Sequence, residues 1–323
     1  MKFSSRVPAI KGGGALLIDY LVKRFTYHDR STWIGLIADG RVTIEGHVAC
    51  INDSVRGGDT VTYDPGDFEE PQADLDYSII YEDEWLFAVN KPGNLLIHRA
   101  GRAFRNNLMY QLRFVHEPAY TTAHSIHRLD RNTSGVVLIA RTPENQATMS
   151  ELFRKRKIHK EYIALVHGTP SPEQWIINKP ISCDPSSPIR SKFRVDSSGK
   201  EATSHILQCE RVGTSYSRLL VAPLTGRTHQ LRVHCASIGH PIAGDILYGS
   251  DINTKARELK DLHASSFDTT RQRHALHCIR ITFHHPWSGK ELLIEAPVPE
   301  DMIILEKLLE ADKKKGLDAP IST

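Results

Sequence analysis

Residues 127–135 read HRLDRNTSG and run directly into the apolar segment Val136, Val137, Leu138, Ile139 and Ala140. A carboxylate between two arginines at the mouth of such a run admits two readings. Asp130 is either a solvated turn residue that neutralises Arg128 and Arg131, or a group held rigidly at the end of a buried strand. These nine residues alone favour the first, so the rest of the chain has to decide.

Between Tyr77 and about Pro299, strand patterns appear at SIIYEDEWLFAVNK, GVVLIAR, EYIALVHG, SRLLVAP, IRITFHH and ELLIEAP. Helices are expected at ENQATMSELFRKRK and at THQLRVHCASIG, the latter capped by Thr228 and closed by Gly239. Strands and helices do not alternate regularly, and no Gly-rich phosphate loop is present. The pattern therefore speaks against a doubly wound nucleotide-binding fold and for an α+β class with a mixed sheet.

Upstream, residues 15–25 and 30–38 carry helical spacing, and short strands follow in VTIEGHVA and DTVTY. The expected organisation is a helix-helix-strand module over 1–64, an acidic linker over 65–76, the main domain over 77–300, and a C-terminal helix and tail over 301–323. In that last helix Glu300 and Asp301 sit at the positive end of the dipole and Lys313 to Lys315 at the negative end.

Of the 323 residues 40% are hydrophobic, ample for a sizeable core. No apolar run approaches membrane-spanning length, and the opening MKFSSRVPAIKGGGALLIDYLV lacks a secretory pattern. A cytoplasmic, monomeric protein with no membrane partner is expected. The five cysteines form no C-x-x-C pair and read as reduced structural residues. Net charge is +3, but nine acidic residues and no Lys or Arg fall between Asp64 and Glu84, leaving 41 basic against 29 acidic residues, or +12, elsewhere. Such a body is compatible with a polyanionic partner.

HRLDRNTSGVVLIAR resembles the signature of the RluA family of RNA pseudouridine synthases, in which the aspartate of H-R-L-D is catalytic. FAVNKPGNLLIH (87–98), KEYIALVHG (160–168), LTGRTHQLRVHCASIGHPIAGDILYG (224–249) and RHALHCIRITFHHPWSG (273–289) resemble further motifs of that family, in its order. DRSTWIGLIADGRVTIEGHV with RGGDTV is similar to the alpha-L RNA-binding domain often joined to these enzymes. The resemblance implies a mixed, largely antiparallel sheet of the pseudouridine synthase type carrying a catalytic cleft. It also implies structured RNA as partner, ribosomal RNA of the large subunit before transfer RNA. Residues 15–64 hold five Lys or Arg against seven Asp or Glu, which weighs against strong RNA binding by the module. RAGRAFRNNLMYQL after His98 is more basic than the usual family segment.

Turning uridine into pseudouridine breaks the C1′–N1 bond, rotates the uracil and joins C5 to C1′, so no metal or cofactor is expected. One carboxylate beside sugar and base is needed, in a pocket that excludes water. Buried without a cation it would take up a proton. Arg227, otherwise a phosphate or surface arginine, is the partner that the resemblance implies for Asp130. Tyr162, otherwise a core aromatic, is implied to stack on the target uracil, and Leu276 to line the pocket. Arg128 and Arg131 suit the RNA side, with Arg128 implied to fill the space of the flipped base. RKRK (154–157) with Lys160 reads as phosphate-binding or as a solvated helix face.

His229, His234, His240 and Asp245 do not have the i, i+4 spacing of a helical metal site, and no metal is expected. Lys91 in NKPGN could be proposed as a Schiff-base nucleophile, yet the adjacent Pro92 and Gly93 more simply mark a turn. Two other function classes compete: a non-catalytic RNA-binding or ribosome-assembly factor, and a nucleoside or glycoside hydrolase, which would require a second carboxylate or a metal-bound water.

Overall fold

The computed structural model describes residues 2–10, 12–25, 28–64, 70–187, 189, 191–249 and 273–317, with side chains as far as 311. Residues 65–69 of the expected linker and the side chains of Lys313 to Lys315 lie outside the described residues. The chain divides into two compact units. One comprises Met1–Gln72 with Arg99–Arg105, the other Ala73–His98 with Asn106–Thr323.

The first unit contains β1 (Phe3–Arg6), β2 (Ala15–Leu16), α1 (Leu17–Arg24), α2 (Arg30–Ala38), β3 (Val42–Ile44), β4 (His47–Val48), β5 (Ser54–Val55) and β6 (Thr60–Tyr63). The order β1-β6-β3-β4 makes a small antiparallel sheet. The Asp29 carboxylate accepts from the Thr32 N–H at 2.8 Å and starts α2, whose Trp33 is fully buried in one core with Leu17 and Leu21 of α1. Arg99–Arg105, the first half of the basic segment after His98, proves to belong here. The Arg99 guanidinium carbon lies 4.3 Å from the ring centroids of both Phe3 and Phe104, and Arg99 Nη2 donates to the Tyr63 hydroxyl at 3.1 Å.

The second unit contains β7 (Ser78–Glu82), β8 (Leu86–Lys91), α3 (Leu108–Phe114), β9 (His124–Ser125), β10 (Ser134–Ala140), α4 (Pro143–Arg154), β11 (Ile158–His167), β12 (Ile176–Asn178), β13 (Ile181–Cys183), β14 (Phe193–Val195), β15 (Thr203–Val212), β16 (Tyr216–Pro223), α5 (Gln230–Ser237), β17 (Leu276–His284), β18 (Glu291–Glu295) and α6 (Glu300–Leu317). The main sheet runs β12-β15-β16-β11-β17-β10-β8-β7, with β9 on β10 and β18 on β17. The fold is α+β with a mixed, largely antiparallel sheet, as expected. Sequence patterning missed β15 and α3. The second is started by the Asn107 side chain, which accepts from the Tyr110 N–H at 3.0 Å.

Among the described strands of this sheet, β10 and β17 alone pair in parallel, through Ser134↔His277 and Gly135↔Cys278. This short joint fuses two antiparallel halves into one sheet. It places the start of β10, just after Asp130, beside the start of β17 at Leu276. Across β17, Tyr162 of β11 lies opposite Cys278. The residues that the sequence holds apart thus meet because of one parallel register. Val136 to Ala140 are fully buried, which anchors the loop before them.

Gly135 makes the joint possible. Its φ is +111°, and a Cβ at this position would stand 2.1 Å from the Cys278 carbonyl oxygen. Gly135→Ala is therefore expected to lower stability by more than the ~1–3 kcal/mol of an unfavourable backbone conformation alone. Urea unfolding beside the parent chain measures it; an unchanged midpoint would contradict the close approach.

Candidate active site

The loop 127–133 is held from several directions. At its start His127 Nε2 accepts from the Leu138 N–H at 2.9 Å, and burial pushes the His127 pKa down to about 3, keeping that lone pair available. Further along, Lys91 is fully buried and donates to the carbonyl oxygens of Pro92 at 2.7 Å, Leu95 at 2.9 Å and Arg131 at 3.1 Å. Burial, aided by Arg273, drives its pKa well below the usual lysine value. Lys91, the last residue of β8, thus ties the turn that follows it to the Asp130 loop. Arg273 Nη1 donates to the Asn132 carbonyl at 3.0 Å, and two further Arg273 nitrogens bind the Asp301 carboxylate at 2.7 and 3.0 Å. Asp301, expected only to complement the α6 dipole, therefore has a second task.

The Asp130 side chain opens on a cavity of about 120 Å³ that Tyr162, Lys160, His229, Arg232 and Leu276 also line. Its Oδ2 lies 3.3 Å from Arg232 Nη1 and 3.8 Å from His229 Nε2. Arg232 is in turn gripped by Asp245, Nε to Oδ2 at 2.7 Å and Nη2 to Oδ1 at 2.9 Å, with both side chains buried. Burial works against the Arg232 charge, but the Asp245 hydrogen bonds and charge, joined by Asp130, raise its pKa above the ordinary value.

The expected pairing of Arg227 with Asp130 is corrected here. Arg227 lines the cavity, yet its Nε donates to the Glu201 carbonyl at 2.9 Å, and Arg232 is the arginine at Asp130. The cause is local backbone geometry. His229 adopts a left-handed conformation with φ +56°, so α5 begins at Gln230 and presents Arg232 from its first turn. Thr228 is not the cap: His229 occupies that position, and Gln230 Oε1 accepts from the Arg227 N–H at 3.0 Å and the Thr225 hydroxyl at 2.6 Å. Gly239, with φ +85°, follows the end of α5 as expected.

Tyr162 is buried at a register shift between Glu161 and Tyr162 in the β11–β17 pairing, the kind of irregularity that re-aims a side chain. Burial, with smaller effects from Cys278 and Asp130, raises its pKa well above the phenolic value, so the hydroxyl keeps its proton at neutral pH. Leu276 is buried on the cavity wall. Arg128 is exposed at the cavity, whereas Arg131 turns away and donates through Nε to Asn94 Oδ1 at 2.9 Å. Lys160 also reaches the cavity, its pKa lowered by burial, while Arg154 and Lys155 pair with Glu151 on α4.

The histidines considered as metal ligands have separate partners. His229 Nδ1 meets the Tyr248 hydroxyl at 2.8 Å, His234 binds Ser204 Oγ and the Lys179 carbonyl, and His240 Nδ1 binds the His167 carbonyl. Sequence reading missed Arg232, Asp245, Tyr248 and the non-metal role of His229. The available signal was the spacing in THQLRVH, where a helix starting after His229 puts Arg232 in the first turn.

Residues 86–237 match the family model described as RNA pseudouridylate synthase. The chain is 32% identical over 308 residues to the Vibrio cholerae protein named ribosomal large subunit pseudouridine synthase D, covering 93% of each chain. It is 33% identical over 318 residues to the Escherichia coli O6:H1 protein of the same name, covering 94% of each. Among solved structures, human RNA pseudouridylate synthase domain containing 1 aligns with a TM-score of 0.52 and 25% identity, over 75% of this chain and 98% of that one.

Two outcomes follow from the charges. Asp245→Ala strands a buried guanidinium and is expected to cost about 3–5 kcal/mol, while Arg227→Ala stays within about 1 kcal/mol; denaturant unfolding of both separates the two arginine assignments. Histidine titration gives a pH dependence. Burial holds His127 at about 3 and His277 at about 4, below their unfolded value near 6.5. The unfolded chain then binds more protons, so stability is complete above about pH 6.5 and falls as pH drops toward those folded values. Thermal unfolding across that range, flattened by His127→Gln, is the check.

Proposed function

The chain belongs to the RluA family of RNA pseudouridine synthases, and on that premise we propose that it converts uridine to pseudouridine in large-subunit ribosomal RNA with Asp130 as the reacting carboxylate. One observation carries the assignment of Asp130. Its carboxylate opens on the cavity with Oδ2 turned to an arginine that is itself locked by Asp245. A merely neutralising aspartate would pair with the flanking Arg128 or Arg131, and Arg131 is instead directed to Asn94.

The remaining groups suit the steps of the isomerisation. Tyr162 offers a buried aromatic face to a uracil that must be held and yet turn, and its protonated hydroxyl is suited to donate rather than to act as a base. Leu276 closes the apolar side, limiting water at the detached intermediate. Arg128, exposed at the mouth, is placed to occupy the space of the extruded base, and Lys160 adds a cation for a phosphate or a uracil carbonyl. Asp130 is the one carboxylate among the described residues lining the cavity, which disfavours a two-carboxylate hydrolase.

Large-subunit ribosomal RNA is preferred to transfer RNA because both bacterial relatives described above carry that substrate in their names. Under this reading the protein works as a monomer, and the cytoplasm is its place. Among the described residues no helix is long and apolar enough to cross a membrane.

Asp130→Asn retains size and loses charge, so single-turnover pseudouridine formation on a large-subunit ribosomal RNA fragment is expected to vanish while RNA affinity stays within about threefold. Near-normal turnover by the folded variant would refute the assignment, and turnover on transfer RNA alone would refute the substrate. Tyr162→Phe in the same assay is expected to hold affinity, since the stacking face persists, and any fall in rate then reports the hydroxyl.

A further inference from the structure

The Asp130 carboxylate is approached on one oxygen only by the contacts described above: both Arg232 Nη1 and His229 Nε2 face Oδ2. Arg232 is a permanent cation. The imidazole can face a carboxylate with either a proton or a lone pair, and the two have opposite effects. Which one it presents is decided on the far side of the ring.

There the Tyr248 hydroxyl lies 2.8 Å from His229 Nδ1 and 2.9 Å from the backbone nitrogen of Phe193 in β14. The Phe193 N–H has no choice but to donate, so the Tyr248 oxygen accepts from it. The hydroxyl proton is then free to point at His229 Nδ1, which satisfies both groups only if Nδ1 carries the lone pair. A neutral imidazole with its lone pair at Nδ1 has its proton at Nε2. Burial keeps the ring on the neutral side, lowering its pKa against the raising effect of Asp130, and burial pushes the Tyr248 hydroxyl up to about 12, so it retains the proton it donates.

We propose that His229 is a positioning residue, fixed by Tyr248 as the Nε2–H tautomer, which with Arg232 holds Asp130 Oδ2 and leaves Oδ1 to react with the substrate. The proposal rests on the reading of Asp130 as the reacting carboxylate. Several features converge on it. His229 keeps a left-handed backbone conformation that a non-glycine residue adopts at a cost, and this conformation turns its ring toward the cavity. The Tyr248 ring also lies under the Arg232 guanidinium, 5.0 Å from centroid to Cζ, so one side chain buttresses both groups on Oδ2. Tyr248 is in turn held by its own N–H to Asp245 Oδ1 at 3.3 Å. Asp245 and Tyr248 therefore form a single support behind the reacting aspartate.

The discriminating variant is Tyr248→Phe in the full chain, which keeps the ring under Arg232 and removes the proton donated to His229. Nitrogen-15 NMR of histidine-labelled protein is expected to show His229 as the Nε2–H tautomer in the parent and as a mixture in the variant. Single-turnover pseudouridine formation is expected to fall about tenfold with RNA affinity unchanged. His229→Gln, which places an amide N–H at similar reach, is expected to keep more of the rate than His229→Ala. An Nδ1–H tautomer in the parent overturns the proposal whatever the kinetics, as do parental rates in both Tyr248→Phe and His229→Ala. If Asp130→Asn is inactive in that same series, the loss is confined to His229; if it is active, the underlying reading of Asp130 has failed instead.

Discussion

A guanidinium shared by two carboxylates is the interaction on which the site depends. Arg232 gives two nitrogens to Asp245 and turns a third toward Asp130, and its burial makes each contact count. A buried ion pair is weak support for stability in itself, because desolvation offsets much of the Coulomb gain. What it supplies here is direction. With two nitrogens fixed by Asp245 the guanidinium plane cannot turn, so the remaining nitrogen marks where the Asp130 oxygen must lie.

A fixed cation is useful only if the aspartate backbone is equally fixed, and the loop 127–133 has little regular secondary structure to do that. Its carbonyls are secured by side chains instead: Arg131 by Lys91 and Asn132 by Arg273. The hydroxyl of Thr133 meets His274 Nε2 at 2.8 Å, and Ser134 Oγ meets His277 Nδ1 at 2.9 Å. Lys91 comes from the end of β8 and the other partners from the start of β17 or the residues before it, so the two strands flanking β10 both reach around to hold its entry loop. The parallel β10–β17 joint makes this reach possible, and Gly135 permits the joint.

Much of this was legible in the sequence, for identifiable reasons. The apolar run 136–140 is a strand because it is buried throughout, and the helix expected over ENQATMSELFRKRK forms as α4, which ends at Arg154 and is started by the Thr142 hydroxyl accepting from the Asn145 N–H. Fold class followed from the same patterning together with the family resemblance. Arg232 was not legible as the partner of Asp130 because two arginines stand five residues apart in one motif, and a single left-handed residue between them decides which one meets the carboxylate. Residue type gives no warning of that, since His229 has an ordinary side chain and an unusual φ. Strand β15 was missed because its alternation is interrupted where the register shifts between Ile206 and Gln208. The assignment of Arg99–Arg105 to the first unit was likewise hidden, since a run of arginines looks solvent-seeking until Phe3 and Phe104 are seen beside Arg99.

That last case bears on how charge is to be read across the whole chain. A +12 body outside the acidic segment suggests a surface built for polyanions. Yet Lys91, Arg99, Arg131, Arg232 and Arg273 each bind the protein's own carbonyls, carboxylates, amides or rings. Several of the basic residues inside the family motifs therefore serve to place one carboxylate, and they contribute little to an RNA-facing field. Arg128 and Lys160 line the cavity itself, where a bound nucleotide would meet them, as does Arg232, which is already committed to Asp245 and Asp130. The distinction separates two tasks: phosphate contacts along an exposed face set how tightly RNA binds and how steeply salt weakens it, whereas the inward-facing cations set the geometry of Asp130 and its loop. Net charge counts both kinds alike, and only their partners tell them apart.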